Sequence, residues 1–259
     1  MTALLTAEFR KVTTLRFWWM LGLTPLVVGM FSSAISLPVL RAFTDAFEAD
    51  PADANLAATV FGLAVALSLV VLFAALFGAV NAGTEFRYKT LTTTFLTARG
   101  RDGVIGAKLA VTAAFGFFYC LVVEMVSVAL LLTFGGENFA LRGSLFAMLA
   151  AALVAAACWA LIGGGMSMLT GSSVGSCISL VVWYTLGEMI LRSILSGIGI
   201  GAVGDVLPVS ATLGSVANAA AGNDIDWLPL WPAAPIAVMV WTALFTLAGW
   251  ALTRSRDIT

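Results

Sequence analysis

Histidine is absent from this chain. That excludes His-ligated haem, His-based zinc sites and hydrolases of the Ser-His or Cys-His type. Charge is scarce as well, at 10% of residues, where soluble domains carry about 25%. No G-x-x-x-x-G-K-[ST] occurs in the sequence, so the chain brings no phosphate-cradling loop of that kind. If nucleotide energy drives it, another chain must bind the nucleotide. The three cysteines, Cys120, Cys158 and Cys177, all sit inside apolar runs. They read as small packing residues and not as a disulfide framework. A net charge of −1 points to no nucleic acid and no acidic partner.

What the chain has in abundance is apolar surface. It is 61% hydrophobic over 259 residues, too much for a soluble fold of that size to cover, so the outer solvent is lipid. A hydrocarbon core of about 30 Å needs roughly 20 apolar residues of helix. Six runs qualify: Phe17–Leu40, Leu56–Ala82, Val104–Phe134, Leu145–Leu169, Val174–Leu195 and Leu230–Leu252. The third exceeds the need and implies a tilted or projecting helix. Ahead of the first run, Leu4, Leu5, Phe9 and Val12 share one helical face, with Glu8, Arg10 and Lys11 elsewhere. That pattern predicts an interfacial helix over 2–16. The first run reads as a retained span and not a cleaved leader, because apolar sequence continues past Ser32-Ser33-Ala34 to Leu40 and an acidic amphipathic segment is a poor leader start. The expected fold class is an all-α polytopic membrane protein with six transmembrane helices.

Lys and Arg near the span ends set orientation. Arg10, Lys11 and Arg16 precede span one; Arg87, Lys89, Arg99, Arg101 and Lys108 follow span two; Arg254 and Arg256 follow span six. Six spans place these ten of the thirteen basic residues on one side. The opposite connections hold Asp45, Glu48, Asp50, Asp53, Glu137, Asp205, Asp224 and Asp226, with Arg41 and Arg142. Both termini are therefore expected in the cytoplasm.

Two connections stand out. The stretch Gly83-Thr84-Glu85-Phe86-Arg87-Tyr88-Lys89-Thr90-Leu91, running on to Arg99-Gly100-Arg101, is charged and Thr-rich between two long apolar runs. It must lie in water. The stretch Ser196–Asn223 is the reverse: apolar, yet broken by Gly197, Gly199, Gly201, Gly204 and Pro208. A pair of short helices dipping into the outer leaflet fits it better than a floppy apolar linker, since irregular backbone at membrane depth must be shielded.

In order and spacing, the whole chain resembles the membrane subunit of an ABC-2 type transporter. The resemblance rests on the N-terminal segment ending Thr14-Leu15-Arg16-Phe17-Trp18-Trp19, the loop Glu85–Leu91, and the broken outer segment with Leu207-Pro208. It implies one transmembrane domain over 1–259, with a cytosolic coupling loop at 83–103 and an outer re-entrant segment at 196–226. The coupling loop would enter a groove of a separate ATPase, with Glu85, Phe86, Arg87, Lys89, Arg99 and Arg101 as contacts. The positive-inside rule alone is the rival reading of these basic residues, and Glu85, an acid amid bases, is the group it does not explain. The resemblance further implies two ATPase copies carrying ATP and Mg2+, a second permease copy in a homodimer, a bacterial inner membrane, and outward movement of an amphipathic, drug-like or lipid-like cargo.

Glu124 and Glu188 fall within spans three and five, where ionisable residues are costly. Glu188 has Arg192 at i+4, on the same helical face, and can pair locally; lining of a transport path or dimer seam is the other reading. Glu124 has no obvious partner in its own span; it is protonated, bonded to a neighbouring span, or exposed to a cavity. These acids keep open a proton-coupled secondary transporter, which would need an internal repeat that the two halves of the chain do not show. An intramembrane hydrolase is disfavoured: without histidine a serine would need a lysine base, and all three lysines lie in the cytosolic segments. Gly163-Gly164-Gly165 instead reads as a place where spans pack closely.

Overall fold

Backbone groups in hydrocarbon have no water to bond, so spans of this composition must be helical. The computed structural model describes residues 2–47, 51–97, 100–134, 143–221 and 228–255. Of the residues singled out above, Glu48, Asp50, Arg99, Glu137, Arg142, Asp224, Asp226 and Arg256 lie outside these stretches. The elements are α1 (Thr2–Thr14), α2 (Phe17–Phe47), α3 (Pro51–Arg87), α4 (Thr90–Thr97), α5 (Arg101–Phe134), α6 (Gly143–Thr170), α7 (Ser173–Val182), α8 (Glu188–Gly197), α9 (Gly201–Asp205), α10 (Pro208–Ala221) and α11 (Ala233–Ser255). A π turn at Trp183–Gly187 joins α7 to α8 as one span, with the Glu188 N–H bonded to the Trp183 carbonyl five residues back.

Among the described residues six helices are long and apolar enough to cross a membrane. The longest apolar stretch, Arg101–Thr133, has 33 residues, or about 50 Å of helix. It outruns the hydrocarbon core and carries its first turns beyond it. Helices α2 and α3 extend through Asp45 and Asp53, where the sequence reads as a loop.

Helix α6 lies at the centre of the bundle, and glycine puts it there. A Cβ on Gly163 would stand 1.9 Å from the Ala75 carbonyl oxygen of α3, and one on Gly78 of α3 would stand 1.9 Å from the Ala160 carbonyl oxygen. The contact is reciprocal, backbone on backbone. Two residues along, Gly165 faces α11: its Cβ would meet the Phe245 carbonyl oxygen at 2.5 Å, and that of Gly249 would meet the Gly165 carbonyl oxygen at 2.6 Å. Lipid offers no hydrophobic drive between helices, so such close van der Waals contact is the main attraction available.

Aromatic side chains fill the seam of α2, α3 and α5. The Phe77 ring stacks on Phe115 at 5.1 Å and on Phe17 at 5.6 Å, with Tyr119 edge-on at 5.3 Å. Tyr119 donates its hydroxyl hydrogen to the Trp18 carbonyl. Of the aromatic run on α5, Phe115 and Tyr119 are thus packing residues, while Phe117 and Phe118 are exposed and face lipid. All three cysteines are unpaired, and Cys120 is buried in this core.

The two chain ends meet at one end of the bundle. Lys11 of α1 reaches Glu85 at the end of α3. Arg101, at the start of α5, donates to the Arg254 carbonyl of α11 at 3.0 Å, and the Trp250 indole N–H donates to Asp102 at 2.9 Å.

Candidate functional site

At that end four charges are locked together. Glu8 lies on the inward face of α1 and is buried with Val12, although the apolar pattern of α1 puts it outside the lipid-seeking face. It is drawn in because Lys108, about two turns into α5, is buried opposite it. Lys108 Nζ stands 2.7 Å from Glu8 Oε2 and 3.0 Å from Glu85 Oε1. Lys11 Nζ stands 2.6 Å from Glu8 Oε1 and 2.9 Å from Glu85 Oε1. Two carboxylates and two ammoniums alternate and cancel, which is the condition for keeping charges out of water. Burial pushes the Glu8 carboxyl up, but Lys108 and Lys11 outweigh it and hold the group below its usual value. Burial pulls Lys11 down, but Glu8 and Glu85 outweigh it and hold the ammonium above its usual value. One layer deeper, Asn81 donates to Thr112 at 2.9 Å, and Thr112 to the Lys108 carbonyl at 2.8 Å. The quartet fastens α1, α3 and α5 into one unit.

The water-facing connection is built on that unit. Helix α3 runs through Gly83–Arg87 before the chain turns, so the segment from Gly83 is partly the last turn of a span. Lys89 takes the left-handed conformation (φ 54°), closing α3 and releasing the chain into the short helix α4. Phe95 of α4 lies under the Arg101 guanidinium at 5.6 Å. Phe95 and Phe86 pack inward on Ala82, Ile105, Leu109 and Met168. A push on α4 therefore reaches α3, α5 and α6 together.

The expected contact residues separate on this frame. Glu85 is 7% exposed and belongs to the quartet, so its charge faces inward. Phe86 is half-buried, and Arg101 is exposed but engaged with Phe95 and the Arg254 carbonyl. Arg87 and Lys89 stand in the open. Arg99 lies outside the described residues. Two further residues of this segment join them in the fold: Tyr88 is 68% exposed and Leu96 is 81% exposed. Large apolar side chains are common throughout this chain, so only their position beyond the spans distinguishes these two.

The acids within the spans have specific surroundings. Glu188 caps α10 from α8: the Val209 N–H donates to Oε2 at 2.7 Å and the Ser210 N–H to Oε1 at 2.5 Å. Pro208 opens the helix without an N–H, and the Ala211 N–H already bonds the Leu207 carbonyl at 2.8 Å. Every donor of that first turn is thereby satisfied. Arg192 serves the same corner, pairing with Asp205 at 2.8 Å and donating to Ser210 Oγ at 3.0 Å. Glu188→Gln should cost the docking of α10 on α8 about 2 kcal/mol, read as faster amide hydrogen exchange at Val209 and Ser210. Unchanged exchange at both would show that the cap does not hold them. Glu124 is buried and, against expectation, finds its partner in its own span: it accepts from the Cys120 thiol, one turn back on α5, at 3.3 Å. Among the described residues it belongs to no ion pair.

Comparison with known proteins bears on this arrangement. No curated protein matches the chain. The family model described as ABC-2 family transporter protein matches residues 4–187, which covers α1, the quartet, α4 and the glycine contacts of α3 with α6. That span is well over half of the chain, and the chain belongs to the ABC-2 transporter family: it is a multi-pass membrane permease of an ABC transporter, whose partner is an ABC ATPase.

Proposed function

We propose that the chain exports an amphipathic, drug-like or lipid-like substrate, driven by ATP hydrolysis on a separate ATPase that grips α4 and the turn before it. Two copies of the chain would pair with two ATPases carrying ATP and Mg2+, in a bacterial inner membrane with both termini cytoplasmic. The observation that carries this reading is an apolar pair, Tyr88 and Leu96, exposed at the water-facing end of the bundle beside Arg87 and Lys89. Aromatic and apolar anchors rimmed by charge are what a protein interface presents at its energetic centre. The basic rim would steer and orient the ATPase more than tighten it.

The quartet gives this grip its purpose. A closing ATPase moves what it holds as a rigid body, and α4 is joined through Phe95 and Phe86 to three spans. Glu85 contributes by keeping α3 and α5 in register and not by touching the partner. The few charged groups along the spans favour an amphipathic cargo over a hydrophilic one. The proton-coupled alternative draws no support from Glu188, whose two oxygens are committed to the start of α10.

Leu96→Asp tests the reading on the complex purified with its ATPase. Loss of a central anchor should cost about 2 kcal/mol, or roughly 30-fold in affinity, and abolish substrate-stimulated ATP hydrolysis while the permease itself stays folded. Arg87→Glu with Lys89→Glu should slow association and flatten or reverse its fall with added salt. Undiminished binding and stimulation in both variants would sink the proposal.

A further inference from the structure

The half of the bundle remote from α1 contains a cavity of about 720 Å³ between α6, α10 and the start of α11. Its position follows from the glycine contacts: α6 and α11 run side by side toward the α1 end, where Gly165 meets Gly249, so their first turns lie at the opposite end. Ala147, Ala151 and Ala155 fall four residues apart on one face of α6 and line the hollow. With only methyl groups there, three helices meet around a space that no described side chain fills.

The wall has almost nothing to offer a polar ligand. Among the described residues no Asp, Glu, Lys or Arg lines it. Ser215 donates to the Ala211 carbonyl at 2.7 Å, and Asn218 donates to the Pro229 carbonyl at 3.1 Å. Water would gain little here, and apolar hollows far smaller than this, of about 150 Å³, already stay dry and take up hydrocarbon. The volume falls within the roughly 300–1,000 Å³ of ordinary ligand sites. Its rim includes Val154 of α6 with Ile236 and Met239 of α11, all exposed. Both helices are spans, so that rim is bathed in hydrocarbon and the medium at the mouth is lipid tails. Trp231, exposed just before α11, stands where interfacial tryptophans sit, at headgroup level.

We propose that this cavity is a binding site for one acyl chain of a membrane lipid in the leaflet remote from α1, entering between α6 and α11. The chain lies against the alanine face with its headgroup near Trp231. The site is independent of the ATPase reading: it requires only that α6 and α11 span the membrane, and it is filled with or without the partner.

The test uses the full chain in nanodiscs containing a phospholipid with a diazirine midway along one acyl chain. After illumination and peptide mapping, adducts should concentrate on residues 147–158 and 235–239, above the level at the exposed lipid-facing residues Phe117, Phe118 and Ile178. Ala151→Phe fills the hollow and should lower labelling there about tenfold, equivalent to losing roughly two buried methylenes, with labelling elsewhere unchanged. Ala147→Phe, at an exposed position one turn nearer the start of α6, gives the same reading if Ala151→Phe does not fold. Labelling no higher than on the open surface, or indifferent to both substitutions, overturns the proposal. So does efficient disulfide cross-linking between copies carrying Val154→Cys, which would show that a second chain covers the mouth.

Discussion

Replacing Lys108 with methionine should cost the protein about 3–5 kcal/mol of stability. The substitution keeps the length and packing of the side chain and removes only its charge. Glu8 and Glu85 are then left buried with Lys11 alone, whose side chain is 40% exposed. An uncompensated buried carboxylate is costly whichever way it responds: it remains charged in a poor dielectric or takes up a proton. Combining Lys108→Met with Glu8→Gln removes one charge of each sign and leaves the pair Lys11–Glu85, so most of the loss should return. Thermal unfolding in nanodiscs and proteolysis of α1 read both variants. Equal unfolding temperatures for wild type and Lys108→Met would mean the quartet carries no structural weight.

The same quartet sets a pH window. Glu8 is depressed below its usual 4.5 in the folded chain, so its contribution is present above 4.5 and fades as pH falls through the lowered value. Lys11 is raised above its usual 10.5, so its contribution is complete below 10.5 and fades only as pH rises through the raised value. Between these limits neither group makes the docking of α1 depend on pH. Release of α1 should accompany acidification below 4.5 and should be absent near neutrality.

Gly163→Ala should destabilise the bundle by about 3 kcal/mol, the upper end for one added carbon in a packed core. The new Cβ would meet backbone, 1.9 Å from the Ala75 oxygen and 2.8 Å from its carbon. No rotamer change relieves such a clash; α3 and α6 must separate, and the reciprocal contact at Gly78 opens with them. Gly163→Leu should leave no monodisperse protein on size-exclusion chromatography. Gly143→Ala and Gly197→Ala, where an added Cβ meets nothing within 4 Å, should behave as wild type. If Gly163→Ala unfolds with those controls, the α3–α6 contact is looser than described.

Much of this was legible in the sequence, for a physical reason. Lipid imposes span length and hydropathy, and both show in composition alone, so six helices emerge from Phe17 to Leu252. The glycine run at 163–165 announced close packing because small residues have few other uses at that depth. What sequence could not reveal depends on partners far along the chain. The quartet joins position 8 to position 108, so Glu8 looks like an outward polar residue of an amphipathic helix until Lys108 is placed beside it. The i+4 spacing of Glu188 and Arg192 suggested a pair closed within one helix, yet Glu188 finds the backbone of Val209 and Ser210, over twenty residues on. Tyr88 and Leu96 lie in a segment that the sequence already places in water, but only the fold shows that these two stand exposed while Phe86 and Phe95 turn inward.

The paired glycines have a mechanical consequence. Where two backbones touch through interlocked carbonyls, neither helix can slide along the other without first lifting clear. Gly163 and Gly165 make such contacts with α3 on one side and α11 on the other, so these three spans have no slack between them and travel as a single body. Whatever displacement enters through α4 must then be spent where helices meet through side chains that can change rotamer. In this bundle such a place is α2, whose Gly22 and Gly29 meet side chains of α5, Tyr119 and Val123.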